Sequence, residues 1–73
     1  MKYFYEYKKT NGCKVGGHNL EKIVIDENIV ILKGVDIIPT QYDNEHQYWS
    51  HRLDMNKIEY LKIEPMKEEE EWN

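Results

Sequence analysis

The sequence predicts an all-β domain built from five or six antiparallel strands. The main observation is an aliphatic run from Ile23 to Pro39, in which ten of seventeen residues are Ile, Val or Leu. Turn residues interrupt this run mainly at 26–28 and 33–34. Branched side chains are stiff at χ1 and fit a pleated surface, so short aliphatic stretches bounded by turn residues are typical of buried strands. A second observation is the alternation at 2–8, which predicts a strand with its tyrosines on one face.

The elements between these two segments follow from turn chemistry. Asn11-Gly12 and Gly16-Gly17 predict a turn or mobile loop over residues 10–19. A second strand is expected at 22–26. Asn28 is then expected to adopt the left-handed conformation that closes a three-residue hairpin loop before the third strand.

The stretch 29–39 allows two interpretations. Lys33-Gly34 is either a tight turn between two strands or a bulge within one long bent strand. We favour the bulge, because small barrels need such corners. An extra residue there reverses the alternation and would place four side chains on one face: Val30, Leu32, Val35 and Ile37.

The C-terminal third predicts a polar loop at 40–45, a strand at 47–53 and a final element at 58–64. This last element is a strand, or a short helix over 56–64 that Asn56 caps and Pro65 stops, in which case the class is α+β. The strands together predict a curled sheet or SH3-like barrel, with a sandwich of two small sheets as the nearest alternative. Residues 1–65 form the single domain, and residues 66–73 form an acidic tail that is expected to be disordered when alone.

Size and composition limit the function classes. A 73-residue chain buries only about 60% of its unfolded surface, and its core supplies about 3–5 kcal/mol of net stability. A deep catalytic pocket is therefore not expected. The single cysteine, Cys13, excludes an internal disulfide, and Met1 is followed by no apolar signal segment. We expect a cytoplasmic protein with no membrane contact.

Charge is distributed unevenly along the chain. The net charge is −4, but residues 1–25 carry +3 and residues 26–73 carry −7. This bipolar pattern suits a partner of complementary charge. It argues against general DNA binding, which needs a basic footprint that displaces counterions.

The sequence gives little support to an enzymatic function. The Gly12–Gly17 segment lacks the Gly-Lys-Ser/Thr of a phosphate-binding loop, and no nucleophile elbow or paired-histidine zinc-protease motif occurs. Cys13 and His18 resemble a nucleophile and a base, but the sequence shows no third group to orient them. We predict a protein that is not an enzyme and needs no cofactor.

Two alternatives to simple protein binding arise from particular residue types. Four residues separate Cys13, the only thiol, from His18, and four separate His46 from His51. Thiolate and imidazole are common zinc ligands, so these four residues would suit a zinc-stapled domain. We favour exposed histidines and a free thiol. A ladder of exposed rings would instead stack the bases of a single-stranded nucleic acid: Tyr3, Tyr5 and Tyr7.

The strongest candidate surface is the segment 42–52, which is rich in the residue types found at binding hot spots. Tyr48 and Trp49 are adjacent, so on a strand they face opposite sides. A domain this small does not readily cover both rings. One ring is therefore expected at the surface or against a partner, and a second copy of the chain would also satisfy both. The partner-binding residues predicted here are Tyr42, Tyr48, Trp49 and Arg52.

The acidic C terminus is a second candidate contact. Four carboxylates precede an aromatic anchor and would dock into a basic groove as phosphate mimics: Glu68, Glu69, Glu70, Glu71 and Trp72. The chain has no Ala and one Arg but nine Lys, eight Ile and six Asn, a usage typical of AT-rich genomes. We therefore expect a non-enzymatic protein-binding module, a phage or mobile-element regulator that inhibits a host protein such as one that handles nucleic acid.

Overall fold

The structure is a computed structural model that describes residues 1–67. Five antiparallel strands form one sheet in the order β4-β3-β2-β1-β5, and the sheet is not closed. The predicted all-β class is confirmed. A single 3₁₀ turn at Met55–Lys57 joins the last two strands. The strands are β1 (Tyr3–Lys9), β2 (Lys14–Asp26), β3 (Ile29–Pro39), β4 (Asn44–Asp54) and β5 (Ile58–Pro65).

The open sheet is strongly curled. Two strands lie between β1 and β4 in the sheet order, so a flat sheet would hold them about 14 Å apart. The Tyr7 hydroxyl nevertheless lies 2.9 Å from Nδ1 of His51, and the rings of Tyr5 and Trp49 are 5.4 Å apart. The two strands therefore face each other across the core.

The core occupies the concave side of this sheet. Leu20, Leu32 and Leu53 are fully buried there. The predicted alternation of β1 is confirmed, since Tyr5 and Tyr7 are 8% and 4% exposed and belong to the same cluster. Partly buried residues complete the packing from the neighbouring strands and the 3₁₀ turn: Tyr3, Val15, Trp49, Met55, Ile58, Leu61 and Ile63.

The loop predicted over 10–19 is wrong for most of its length. Only the short turn before Lys14 lies outside the strands, and Gly16 and Gly17 belong to β2. A Cβ atom on Gly17 would lie 2.6 Å from the Tyr5 hydroxyl oxygen. This glycine therefore provides room for an aromatic ring on the paired strand rather than freedom for a loop.

The single long strand favoured for 29–39 is confirmed as β3, but its predicted bulge is wrong. The pairing of β3 with β4 shows no register shift. The irregularity lies on β2 between Leu20 and Lys22, across from Gly34. Alternation on β3 therefore continues unbroken, so Val35 and Ile37 share the face of Tyr48 and not that of Leu32.

Four smaller predictions are also corrected. The positive φ of the β2–β3 turn belongs to Glu27 (55°) and not to Asn28. The cap before the 3₁₀ turn is Asp54, whose carboxylate accepts from the backbone N–H of Asn56. Residues 58–65 form a strand, so the helix predicted as an alternative over 56–64 and the α+β class are wrong. A single sheet likewise replaces the two-sheet sandwich.

The C-terminal end is tied to the N terminus as far as it is described. The backbone N–H of Met66 donates to the carbonyl of Lys2 at 2.9 Å. The predicted electrostatic arm of Glu68 to Trp72 lies outside the described residues. Within residues 1–67, no helix is long and apolar enough to cross a membrane.

A polar contact joins β1 and β5 on the face opposite the core. The Tyr60 hydroxyl donates to Oε2 of Glu6 at 2.5 Å. This hydrogen bond lowers the pKa of Glu6 below 4.5 and raises the pKa of Tyr60 above 10.0. Its contribution to stability is therefore complete between those two values. It is lost as pH falls through the Glu6 pKa or rises through the Tyr60 pKa.

Replacing this tyrosine should change the shape of the stability profile. Tyr60→Phe is expected to lower the urea midpoint between about pH 5 and pH 10 and to have a smaller effect beyond either limit. Urea unfolding across this range measures the difference. Tyr42→Phe is the matched control, because Tyr42 is 90% exposed. A Tyr60→Phe profile parallel to that of the unmodified protein would contradict the assignment.

Candidate functional site

The β3–β4 hairpin extends beyond the rest of the sheet. Pairing between β2 and β3 reaches only to Leu20 and Gly34, whereas pairing between β3 and β4 continues to Pro39 and Asn44. Residues 35–48 therefore form a two-stranded ribbon, called here the β3–β4 arm. Within the described chain, the register assigns no third strand to either edge of the arm.

The outer face of the arm, opposite the core, is apolar. Ile37 pairs with His46 on this face, and Val35 pairs with Tyr48 but is itself buried. Ile37 is 48% exposed and Tyr48 is 81% exposed. A two-stranded ribbon is marginally stable alone in water, and grouped exposed apolar side chains mark interaction sites. The arm therefore has the features of a docking surface.

The tip of the arm is an ordered turn. The backbone N–H of Thr40 donates to the carbonyl of Asp43 at 2.7 Å, and the N–H of Asp43 donates to Oγ1 of Thr40 at 3.0 Å. The Asp43 carboxylate also accepts from the N–H of Asn44. These hydrogen bonds order the polar loop predicted at this position. The ring of Tyr42 in this loop is exposed.

The arm is acidic as well as apolar. Residues 35–48 contain Asp36, Asp43 and Glu45 but no Lys or Arg. None of these carboxylates takes part in the ion pairs found among residues 1–67, which join lysines to Glu6, Glu21 and Glu59. The charge therefore favours a basic partner.

A concave pocket lies at the base of the arm, where β2 and β3 diverge. Its volume is about 310 Å³, and it draws residues from four strands: Tyr5, Gly17, His18, Asp36, Trp49 and His51. The divergence follows from the two irregularities of β2, the shift at 20–22 and the positive φ of Asn19 (66°). The Asn19 amide donates to Oδ1 of Asp36 at 3.1 Å and fixes the carboxylate at the mouth.

The wall of this pocket is aromatic. The Trp49 ring lies 5.3 Å from the His51 ring and 5.4 Å from the Tyr5 ring, centroid to centroid. Burial is the largest cause of the raised pKa of Tyr5, and the charges of Tyr7 and Asp36 add to it. The phenol is therefore neutral at physiological pH, and its ring belongs to an apolar wall beside one carboxylate.

Three of the predicted partner-binding residues lie on β4, distributed over both of its faces. Adjacency correctly predicts the separation of the two rings, with Tyr48 exposed and Trp49 packed against the core. Arg52 shares the outer face with Tyr48 and pairs with Ile31. Tyr42 lies at the tip of the arm. Sequence reasoning missed Asp36 and Ile37, because neither residue stands out before the end of β2 pairing is known.

The predicted zinc ligands do not form a site in the described chain. His46 and His51 lie on opposite faces of β4, and Cys13 is exposed in the β1–β2 turn. No group of three or more His, Cys, Asp or Glu side chains within residues 1–67 could hold a metal ion. The zinc-stapled alternative therefore has no structural support.

The predicted nucleic-acid platform is also absent from the surface. Tyr5 and Tyr7 are core residues, and Tyr3 is half-buried against them. Buried rings do not present their faces to the bases of a single strand. The two most exposed aromatic side chains among residues 1–67, Tyr42 and Tyr48, lie instead on the acidic arm.

The comparisons with known proteins add nothing to this geometry. The chain matches no family model, no curated protein and no solved structure.

Proposed function

We propose that this protein is a non-enzymatic protein-binding module that docks through its β3–β4 arm. The observation that carries the proposal is the two-stranded ribbon, which extends beyond the sheet and exposes Ile37 and Tyr48 on one face. Burial of these side chains by a partner would supply both affinity and the missing support for the ribbon.

The partner we propose is a basic protein and not a second copy of the chain. Two arms brought together would each present three carboxylates without a Lys or Arg, and like charges in an interface oppose association. A basic surface would instead gain from the acidic arm. The predicted acidic segment from Glu68 to Trp72 would extend the same complementarity.

This charge pattern also supports the biological setting we propose. Proteins that handle nucleic acid carry basic surfaces, so an acidic module suits an inhibitor of such a host protein. Together with the AT-rich codon usage, this favours a phage or mobile-element regulator that acts in the cytoplasm. Tyr42, Tyr48 and Arg52 are the proposed anchors, and Trp49 supports them from the core.

Single substitutions on the arm test the docking surface. Tyr48→Ser or Ile37→Ser is expected to weaken the affinity for a partner captured from host lysate by at least about tenfold, because each removes an exposed apolar contact. Binding of the purified partner to immobilised protein measures the loss. Trp49 is a poor choice for this test, because it packs against the core.

The control places the same substitution elsewhere. Ile25→Ser changes an aliphatic residue of β2 that is 72% exposed and pairs with Val30 near the β2–β3 turn, far from the arm. It should leave affinity unchanged. A partner that binds Tyr48→Ser and Ile37→Ser as tightly as the unmodified protein would exclude the arm as the docking surface.

A further inference from the structure

We propose that the pocket at the base of the arm receives a cationic side chain, lysine or arginine, from an extended basic segment of the partner. The inference rests on the proposed function, because the docked partner supplies the side chain. It adds the chemistry of the partner and the position at which one of its residues is recognised.

The charge of the pocket selects a cation. Its lining contains one carboxylate, Asp36, and two imidazoles, His18 and His51, but no Lys or Arg. The Asn19 amide holds this carboxylate in place without neutralising it. A positively charged group that enters the pocket therefore meets one fixed negative charge and no fixed positive one.

The aromatic wall strengthens the same preference. The partly buried ring of Trp49 lines the same pocket as Asp36, and the buried ring of Tyr5 packs 5.4 Å from it, centroid to centroid. Cations are attracted to the face of an aromatic ring, and tryptophan is the most effective of the aromatic residues, so Trp49 is the ring that would contact the cation. The apolar rings also suit the methylene stem of a lysine or arginine.

The position of the pocket suits an extended segment. The β3 edge of the arm becomes free where β2 diverges, directly beside the pocket. Side chains of a strand added at this edge would alternate between the two faces of the arm. One set would reach Ile37 on the outer face, and the other would reach Asp36 on the inner face.

Small probes test the pocket without the partner. Trp72→Phe leaves Trp49 as the only indole, so its fluorescence reports binding in the intact chain. N-acetyl-arginine amide and N-acetyl-lysine amide are expected to give a saturable change. N-acetyl-norleucine amide, which keeps an apolar stem without the charge, should bind at least about fivefold more weakly.

Asp36→Asn provides the decisive variant. It keeps an acceptor oxygen for Asn19 and should weaken binding of the two cationic probes about five- to tenfold. Glu45→Gln is the matched control, because it removes a carboxylate of the arm that does not line the pocket, and it should have little effect. Equal binding of the norleucine and cationic probes, or unchanged binding to Asp36→Asn, would overturn the proposal.

The probes also separate this proposal from the docking surface. Tyr48→Ser should reduce partner affinity and leave probe binding unchanged, because Tyr48 lies on the opposite face from the pocket. If the probes fail while partner affinity depends on Tyr48, the pocket assignment is wrong and the docking surface remains. The reverse result rejects the docking surface alone.

Discussion

Gly34→Ala is expected to lower the free energy of unfolding by about 3 kcal/mol, the upper end of the usual cost of overpacking. A Cβ atom at this position would collide with Cζ2 of Trp49 and with the backbone carbonyl oxygen of Asn19. The indole is packed against the core, and the carbonyl belongs to the irregular part of β2. Neither group has an easy direction in which to move. Most of the about 3–5 kcal/mol available to a domain of this size would be lost.

Urea unfolding followed by circular dichroism measures this loss. Gly16→Ala is the matched control, because it makes the same substitution within a strand and its Cβ would meet only the Tyr5 carbonyl oxygen at 3.5 Å. Gly16→Ala should stay within about 1 kcal/mol of the unmodified protein. Equal midpoints for the two variants would show that the close approach of Trp49 to Gly34 does not hold.

The sequence predicts much of this scaffold but not the role of its glycines. The aliphatic run and the tyrosine alternation correctly place β1 and β3, because their signals come from neighbouring residues in one strand. Gly17 and Gly34 instead accommodate rings on paired strands, Tyr5 and Trp49. That pairing depends on register. A glycine that makes room for a distant ring has the same local signature as one in a loop or bulge.

The candidate site is less predictable for a related reason. Adjacency of Tyr48 and Trp49 suffices to separate their rings, so that part of the prediction holds. The arm exists only because β2 pairs with β3 from Leu20 onward and not before it, and the pocket exists only because Asn19 turns the earlier part of β2 away. Equal sequence spacing suggested that the thiol and the three imidazoles form two pairs of zinc ligands. His46 and His51 nevertheless lie on opposite faces of β4, because side chains alternate along a strand.

Leu32→Ala is expected to lower the free energy of unfolding by about 3 kcal/mol, whereas Ile37→Ala on the same strand should cost less than about 1 kcal/mol. Leu32 is fully buried on the concave face, and Ile37 is 48% exposed on the opposite face of the arm. The pair therefore tests the uninterrupted alternation of β3 directly. A bulge at Gly34 would place both side chains on the core face and make the costs similar.

The same two variants should have separate effects on stability and binding. Urea midpoints give the stability of each protein, and partner affinity is measured at a temperature where both remain folded. Ile37→Ala should keep the free energy of unfolding within about 1 kcal/mol of that of the unmodified protein. It should lose affinity for the partner, because its side chain belongs to the docking surface. Leu32→Ala should lose stability, and its folded fraction should bind normally, because Leu32 contacts only the core side of the sheet. Affinity that falls in proportion to stability in both variants would mean that the arm has no binding role distinct from the fold.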